Sequence, residues 1–321
     1  MSTITIPKNL PSPEEDSEKL KKAFDGWGTD ENAVIEILGH RNAKQRIEIA
    51  DAYKRLYDES LIARLQSELS GDFEKAVILW TLDPAERDAK LANEALKSVK
   101  GDKHLWPIIE ITCASSPDHL INVRKAYCSL YKYSLEEDID LHLAQHHSLR
   151  QLLVRLVSSY RYNGEDVDDA LAKSEAAKLH DDIRNNQLHD DEVIRILGTR
   201  SKSHLKATFE HYKQDYGKTI DEDIEGNKSN DELIMSLLKV AVLCLDSPAK
   251  HFAEVVRSSI VGFGTDEGSL TRAIVTRAEV DMKKIKEEYK KYGVSINDDI
   301  SGDTSGDYKN FLLTLVGWAI P

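Results

Sequence analysis

The sequence predicts an all-α protein built from four copies of one helical unit, and three observations carry that prediction. Four tyrosines recur in near-identical settings: Tyr53 in AYKRLY, Tyr127 in AYCSLY, Tyr212 in HYKQDY and Tyr289 in EYKKYG. They stand 74, 85 and 77 residues apart, so the same unit has been written four times along 321 residues. Apolar residues around them recur at spacings of three and four, while strand-like alternation is nearly absent. Hydrophobic residues at 40% and charged residues at 31% give each unit enough apolar surface to bury and a polar face to leave in water.

Each copy repeats one internal order. A short apolar helix comes first, as in NAVIEILGH and SLTRAIVTR. A break follows twelve residues before the tyrosine, at Arg41, Ser115, Arg200 and Arg277. Next comes the tyrosine-bearing helix of the type AKQRIEIADAYKRLY, where Ile47, Ala50 and Tyr53/Lys54 stand at helical spacing. Downstream, SLEEDI or TIDEDI leads into another apolar helix, such as FEKAVILWTL, LRQLLVRLV, ELIMSLLKVAVLCL or YKNFLLTLVGWA. The sum is four or five helices per copy. The polar stretch YNGEDVDD, from Tyr162 to Asp169, reads as a connector between halves.

A formal net charge of −13 argues against a nucleic-acid binder that neutralises phosphates with its own side chains. It argues equally against unaided binding to an anionic membrane, whose surface potential repels the protein, so such contact needs a cation in between. No segment approaches the roughly 18 to 20 consecutive apolar residues of a spanning helix. The opening MSTITIPKNLPSPEEDSEKL has no basic start followed by an apolar core, and a cytoplasmic protein is expected. Three cysteines, Cys113, Cys128 and Cys244, are odd in number and sit in apolar helical contexts, so reduced thiols are expected. The sequon at Asn227 is then silent.

Measured from the tyrosines, the copies differ in one loop. Thirteen residues before Arg41 is Gly28, in FDGWGTDE, and thirteen before Arg277 is Gly264, in IVGFGTDE. The second copy has Asp102 there and the third Gln187, so both have lost the glycine pattern. A distal acid follows the same division. Fifteen residues after Tyr53 is Glu68 and fourteen after Tyr289 is Asp303, whereas copies two and three carry His142 and Asn227. Loops and acids retained together point to a shared ligand. Ca²⁺ takes six to eight oxygens at about 2.3–2.6 Å, and carbonyls turned inward by a glycine loop plus one carboxylate serve it well. Such a site keeps positions open for a lipid phosphate oxygen. Trp27 and Phe263 stand between the loop glycines, where an aromatic ring adds apolar burial at a membrane interface. The rival readings are turn glycines, helix-cap acids and aromatic rings packed on a neighbouring helix.

The four-copy layout, the Gly-x-Gly-Thr-Asp loops and the distal acids, including GDTSGDY in the last copy, resemble the annexin family over the chain from about Pro13 onward. The degenerate second and third copies, GWGTDE, LDPAERDA and SSYRY resemble its plant branch, for which stress response is an expected setting. The resemblance implies four repeats of about five helices each forming a curved disc, with boundaries at 14–83, 84–165, 166–248 and 249–321 after a short segment 1–13. It also implies a first site made by the carbonyls of Phe24, Gly26 and Gly28 with the Glu68 carboxylate. The fourth would use the carbonyls of Ile260, Gly262 and Gly264 with Asp303. The expected function is reversible, calcium-dependent binding to anionic phospholipid membranes, without a catalytic centre and with oligomerisation on membranes open. Rival functions are a peroxidase or nucleotide hydrolase, with His40 as the discussed residue, and an actin-binding or ion-conducting scaffold, with Ile194-Arg195-Ile196 as the actin-linked motif. Cys113 and Cys244 resemble a cysteine pair with a suggested redox role, against the plainer reading of two buried apolar side chains.

Other matches are weaker. Asp221 to Glu232 superficially fits an EF-hand loop, but Lys228 stands where that loop places an apolar residue, and the repeat register makes the segment an inter-helix connection. Gly217-Lys218-Thr219 ends like a phosphate-binding loop, but Tyr212 replaces the first glycine. His142, His146 and His147 reach metal-like spacing without a suitable partner, which favours a solvated or capping role.

Overall fold

The computed structural model describes residues 1–26, 28–98, 103–227, 231–262 and 264–318. Every helix of the first copy starts on a residue that suits a helix N-terminus. Ser12 opens α1 (Pro13–Phe24) with a capping box, Asp30 opens α2 (Glu31–Leu38), Asn42 opens α3 (Ala43–Tyr57) with a second box, and Ser60 opens α4 (Leu61–Glu68). The first copy ends with α5 (Gly71–Thr81). The same order gives α6 (Pro84–Lys97), α7 (Trp106–Ala114), α8 (Pro117–Tyr131), α9 (Leu135–His142) and α10 (His147–Ser158). The third copy contributes α11 (Asp169–Arg184), α12 (Asp191–Thr199), α13 (Lys202–Tyr216), α14 (Ile220–Glu225) and α15 (Glu232–Asp246). The fourth contributes α16 (Pro248–Ile260), α17 (Glu267–Arg277), α18 (Met282–Tyr289), α19 (Ile296–Asp303) and α20 (Gly306–Leu315). Five α-helices per copy, with no strand among the described residues, is the all-α fold read from the sequence.

The chain divides into two compact units, and these are not its sequence halves. Met1–Arg87 forms one unit with Ala249–Pro321, and Asp88–Pro248 forms the other. The first unit therefore holds copies one and four: α17 and α20 pack on α5, and α2 packs on α20. The second holds copies two and three, with α15 against α7 and α10 against both α7 and α12. Of the stretch 162–169, residues 162–168 are non-helical and Asp169 begins α11, and the whole lies within the second unit rather than between units.

In α3 the buried face is Arg46, Ile49, Ala52 and Tyr53, displaced from the Ile47 and Ala50 positions read from the sequence. The cause is Arg46. Its guanidinium lies 3.6 Å over the Trp80 ring and its Nη2 is 2.8 Å from Glu279, so a charged residue turns inward and rotates the helix. Burial lowers the Arg46 pKa to about 10. The arginines at the inter-helix breaks are also paired inside the fold: Arg41 with Asp16 at 2.7 and 2.9 Å, Arg277 with Asp281 at 2.8 and 2.6 Å, and Arg200 with Glu175 at 2.9 and 2.6 Å.

The repeated tyrosines are wholly buried, and three of them donate to an aspartate one helix on. Tyr127 bonds Asp138, Tyr212 bonds Asp223 at 2.8 Å and Tyr289 bonds Asp299 at 2.6 Å. The first copy breaks the pattern, because the position eleven residues after Tyr53 is Arg64, and the Tyr53 hydroxyl is buried without a partner. Desolvation pushes its pKa up to about 12. Tyr212→Phe should therefore lower stability by about 1 kcal/mol, whereas Tyr53→Phe should raise it by a similar amount, because it removes an unsatisfied buried hydroxyl. Thermal midpoints in chelator read the difference, and the opposite order would show that Tyr53 has a partner.

Candidate functional site

The two glycine loops share a closing backbone bond and the conformation of their second glycine, but differ at the first, where Gly262 sits at φ +149° and Gly26 is not at positive φ. Residues 25–30 join α1 to α2, and residues 261–266 join α16 to α17. Each loop is closed by one backbone bond, Asp30 N to Ala23 O at 3.0 Å and Asp266 N to Ser259 O at 2.8 Å. Gly28 and Gly264 both sit at φ +89°, a conformation that favours glycine and accounts for the second glycine of the motif. The motif aspartate is a helix cap: Asp30 Oδ1 accepts from Ala33 N and Asp266 Oδ1 from Ser269 N, both at 3.0 Å.

The motif threonine ties each loop to its distal acid. Thr29 Oγ1 donates to Glu68 Oε2 at 2.8 Å, and Thr265 Oγ1 donates to Asp303 Oδ2 at 2.6 Å. Glu68 ends α4 and Asp303 ends α19, so in both copies a carboxylate about forty positions away in sequence is held against the loop. Sequence spacing assigned these threonines no role. Their signal was present all the same, since both loops read Gly-Thr-Asp. Phe24 and Ile260 are the last residues of α1 and α16 and are buried, which leaves their carbonyls at the helix ends where intrahelical partners run out.

The copies differ in what serves the carbonyl at that helix end. In the third copy Asn227, at the distal-acid position, donates from Nδ2 to the Ile183 carbonyl at 2.5 Å. In the first, Arg64 Nη2 lies 3.4 Å from the Phe24 carbonyl and 2.9 Å from Glu68 Oε1. Among the described residues, no amide or guanidinium takes that place beside Ile260. In the second copy, residues 99–102 lie outside the described residues and His142 turns back onto Asp138. Trp27 and Phe263, the expected membrane contacts, also lie outside the described residues.

Carbonyls of a tight loop plus one carboxylate fit a hard divalent cation better than a softer metal. Among the described residues no three His, Cys, Asp or Glu side chains converge as a metal cluster. Around the two acids lies a cleft of about 380 Å³ lined by Glu31, Glu68, Asp72, Glu267, Asp303 and Asp307, all in the first unit. Six carboxylates facing one cleft attract cations and repel anions.

The residues behind the rival readings sit elsewhere. Cys113 in α7 and Cys244 in α15 are in no disulfide and fully buried, and burial raises the Cys113 pKa, which favours the unreactive thiol. The His40 ring Nδ1 is 2.8 Å from the Thr5 carbonyl. Ile194 and Ile196 are core residues of α12, and Arg195 between them pairs with Glu192 and Glu175. Asp221 lies inside α14 and Asp223 accepts from Tyr212, so the EF-hand match begins in a helix; Lys228 lies outside the described residues. No described helix is long and apolar enough to cross a membrane.

Comparison with known proteins gives one answer throughout the chain. The Annexin family model matches residues 15–80, 87–155, 174–235 and 251–315, one match per copy. Annexin D3 of Arabidopsis thaliana is 53% identical over 99% of both chains, and annexin-like protein RJ4 of Fragaria ananassa is 51% identical over 99% of both. Among solved structures, annexin III superposes with a TM-score of 0.88 at 33% identity, covering 98% of this chain and 97% of that one. The calcium-bound annexin (Sm)1 superposes with a TM-score of 0.83 at 29% identity, covering 99% of this chain and 93% of that one. Four family matches in register with four tyrosine-marked copies, on a five-helix repeat seen in the structure, establish that this chain belongs to the annexin family.

Proposed function

We propose that the protein is a reversible, calcium-dependent binder of anionic phospholipid membranes, acting through the loops of copies one and four. The observation that carries this reading is the threonine-held carboxylate, Glu68 or Asp303, set against a glycine loop in those two copies. The calcium-bound state of a relative 29% identical supports the choice of ion. Calcium, when bound, supplies a double positive charge and open coordination positions for lipid phosphate oxygens.

The remaining work falls to the chain itself. The carbonyls of Phe24, Gly26 and Gly28 serve the first site with Glu68, and those of Ile260, Gly262 and Gly264 serve the fourth with Asp303. Thr29 and Thr265 hold the carboxylates in place, so little reorganisation is needed on binding. The six acids of the cleft draw cations to this face, and without a cation their charge keeps an anionic bilayer away. Trp27 and Phe263 add apolar contact with the interface. Membrane association is thus peripheral, and a cytoplasmic location matches three cysteines that form no disulfide.

Sedimentation with phosphatidylserine vesicles tests the reading. The protein should pellet in millimolar calcium and return to the supernatant on chelation. Equal pelleting with and without calcium would sink it.

A further inference from the structure

Resting on the reading that the first and fourth loops hold calcium, we propose that Arg64 is a resident counter-ion of the first loop. Its guanidinium occupies the place a cation would take, and this sets the calcium threshold of the first loop above that of the fourth.

A single nitrogen carries the argument. Arg64 Nη2 lies 2.9 Å from Glu68 Oε1, 3.4 Å from the Phe24 carbonyl oxygen and 4.0 Å from Asp25 Oδ1. Two of these three oxygens belong to the donor set of the first site. Glu68 Oε2 is already engaged by Thr29, so both oxygens of the carboxylate are occupied. For Glu68 and Phe24 to face a dication, the guanidinium must leave both, and it must then move far enough that its charge no longer opposes the incoming one.

Packing gives this arginine one contact, with its guanidinium carbon 5.9 Å from the Phe24 ring centroid beside the same loop. The corresponding position holds Asp138, Asp223 and Asp299 in the other copies, each accepting from its buried tyrosine. With Arg64 in that position, the Tyr53 hydroxyl and Arg64 Nε are both buried without partners. The substitution therefore leaves two polar groups unsatisfied, and what it gains is the contact with the loop. The side chain is 24% exposed and Glu68 20%, which gives the guanidinium a path outward. Among the described residues three copies form a graded series: an amide on the chain closes the third, a displaceable guanidinium guards the first, and neither kind of group meets the Ile260 carbonyl of the fourth.

Calorimetric titration of calcium into full-length Asp303→Asn protein isolates the first loop, and Glu68→Gln protein isolates the fourth. The fourth loop alone should bind more tightly than the first alone. Adding Arg64→Ala to Asp303→Asn should lower the dissociation constant about tenfold. Arg64→Asp, which restores the tyrosine acceptor found in the other copies, should lower it at least as far. Circular dichroism and thermal midpoints in chelator report whether each variant is folded. A first-loop affinity unchanged by both Arg64 variants overturns the counter-ion role while leaving the calcium loops intact. Absence of binding by Asp303→Asn, with or without Arg64, overturns the first-loop site itself. Binding that emerges only once Arg64 is removed is the strongest support.

Discussion

Glu68→Gln combined with Asp303→Asn should raise the calcium concentration for half-maximal vesicle binding by at least about 100-fold, because each site loses its one carboxylate. Both changes keep shape and hydrogen-bonding reach, so Thr29 and Thr265 retain acceptors and the loops keep their anchors. The effect is therefore electrostatic rather than structural, and the thermal midpoint in chelator should stay close to that of the parent. The single variants should not be equal. Asp303→Asn should do more damage than Glu68→Gln, since Glu68 already shares its charge with Arg64 whereas Asp303 faces no guanidinium among the described residues. A double variant that sediments at the parent's calcium concentration would refute the proposed function.

The second large effect concerns stability. Arg41→Ala should destabilise the first unit by about 3–5 kcal/mol, since Asp16, 1% exposed, would be left as a buried charge without its partner. The guanidinium meets both Asp16 oxygens, at 2.7 and 2.9 Å. Removing both charges together, as in Arg41→Met with Asp16→Leu, should recover most of that loss, because the penalty lies in the uncompensated ion and not in the missing attraction. Thermal or urea unfolding in chelator measures both variants without the contribution of bound calcium. Similar losses for the single and double variants would show that the pair itself, with its geometry, stabilises α1 against the break between α2 and α3.

The repeat explains why so much of the fold was legible in the sequence. Tyrosine spacing fixed the number of copies, and helical periodicity with capping residues such as Ser12, Asn42 and Ser60 fixed the helices within each. Periodicity misjudged the buried face of α3, because it scores Arg46 as polar and cannot know that Trp80 and Glu279 receive it. The site was legible in the same partial way. Gly28, Gly264, Glu68 and Asp303 emerged from counting, since loss of loop and acid together leaves a trace in a repeated sequence. Thr29, Thr265 and Arg64 did not. Arg64 could have been found by counting eleven residues from Tyr53 and meeting arginine where the second and third copies have aspartate.

By itself the sequence determined the helical class, the fourfold plan and which two copies keep a glycine loop with an acid, because these depend on local preference and on comparison between copies. The tertiary structure decided that copies one and four share a unit, that a threonine pins each acid, and that Arg64 rather than open space meets the Phe24 carbonyl. Such contacts join residues about forty or more positions apart, and their geometry follows from how helices pack, which no local pattern of residues encodes.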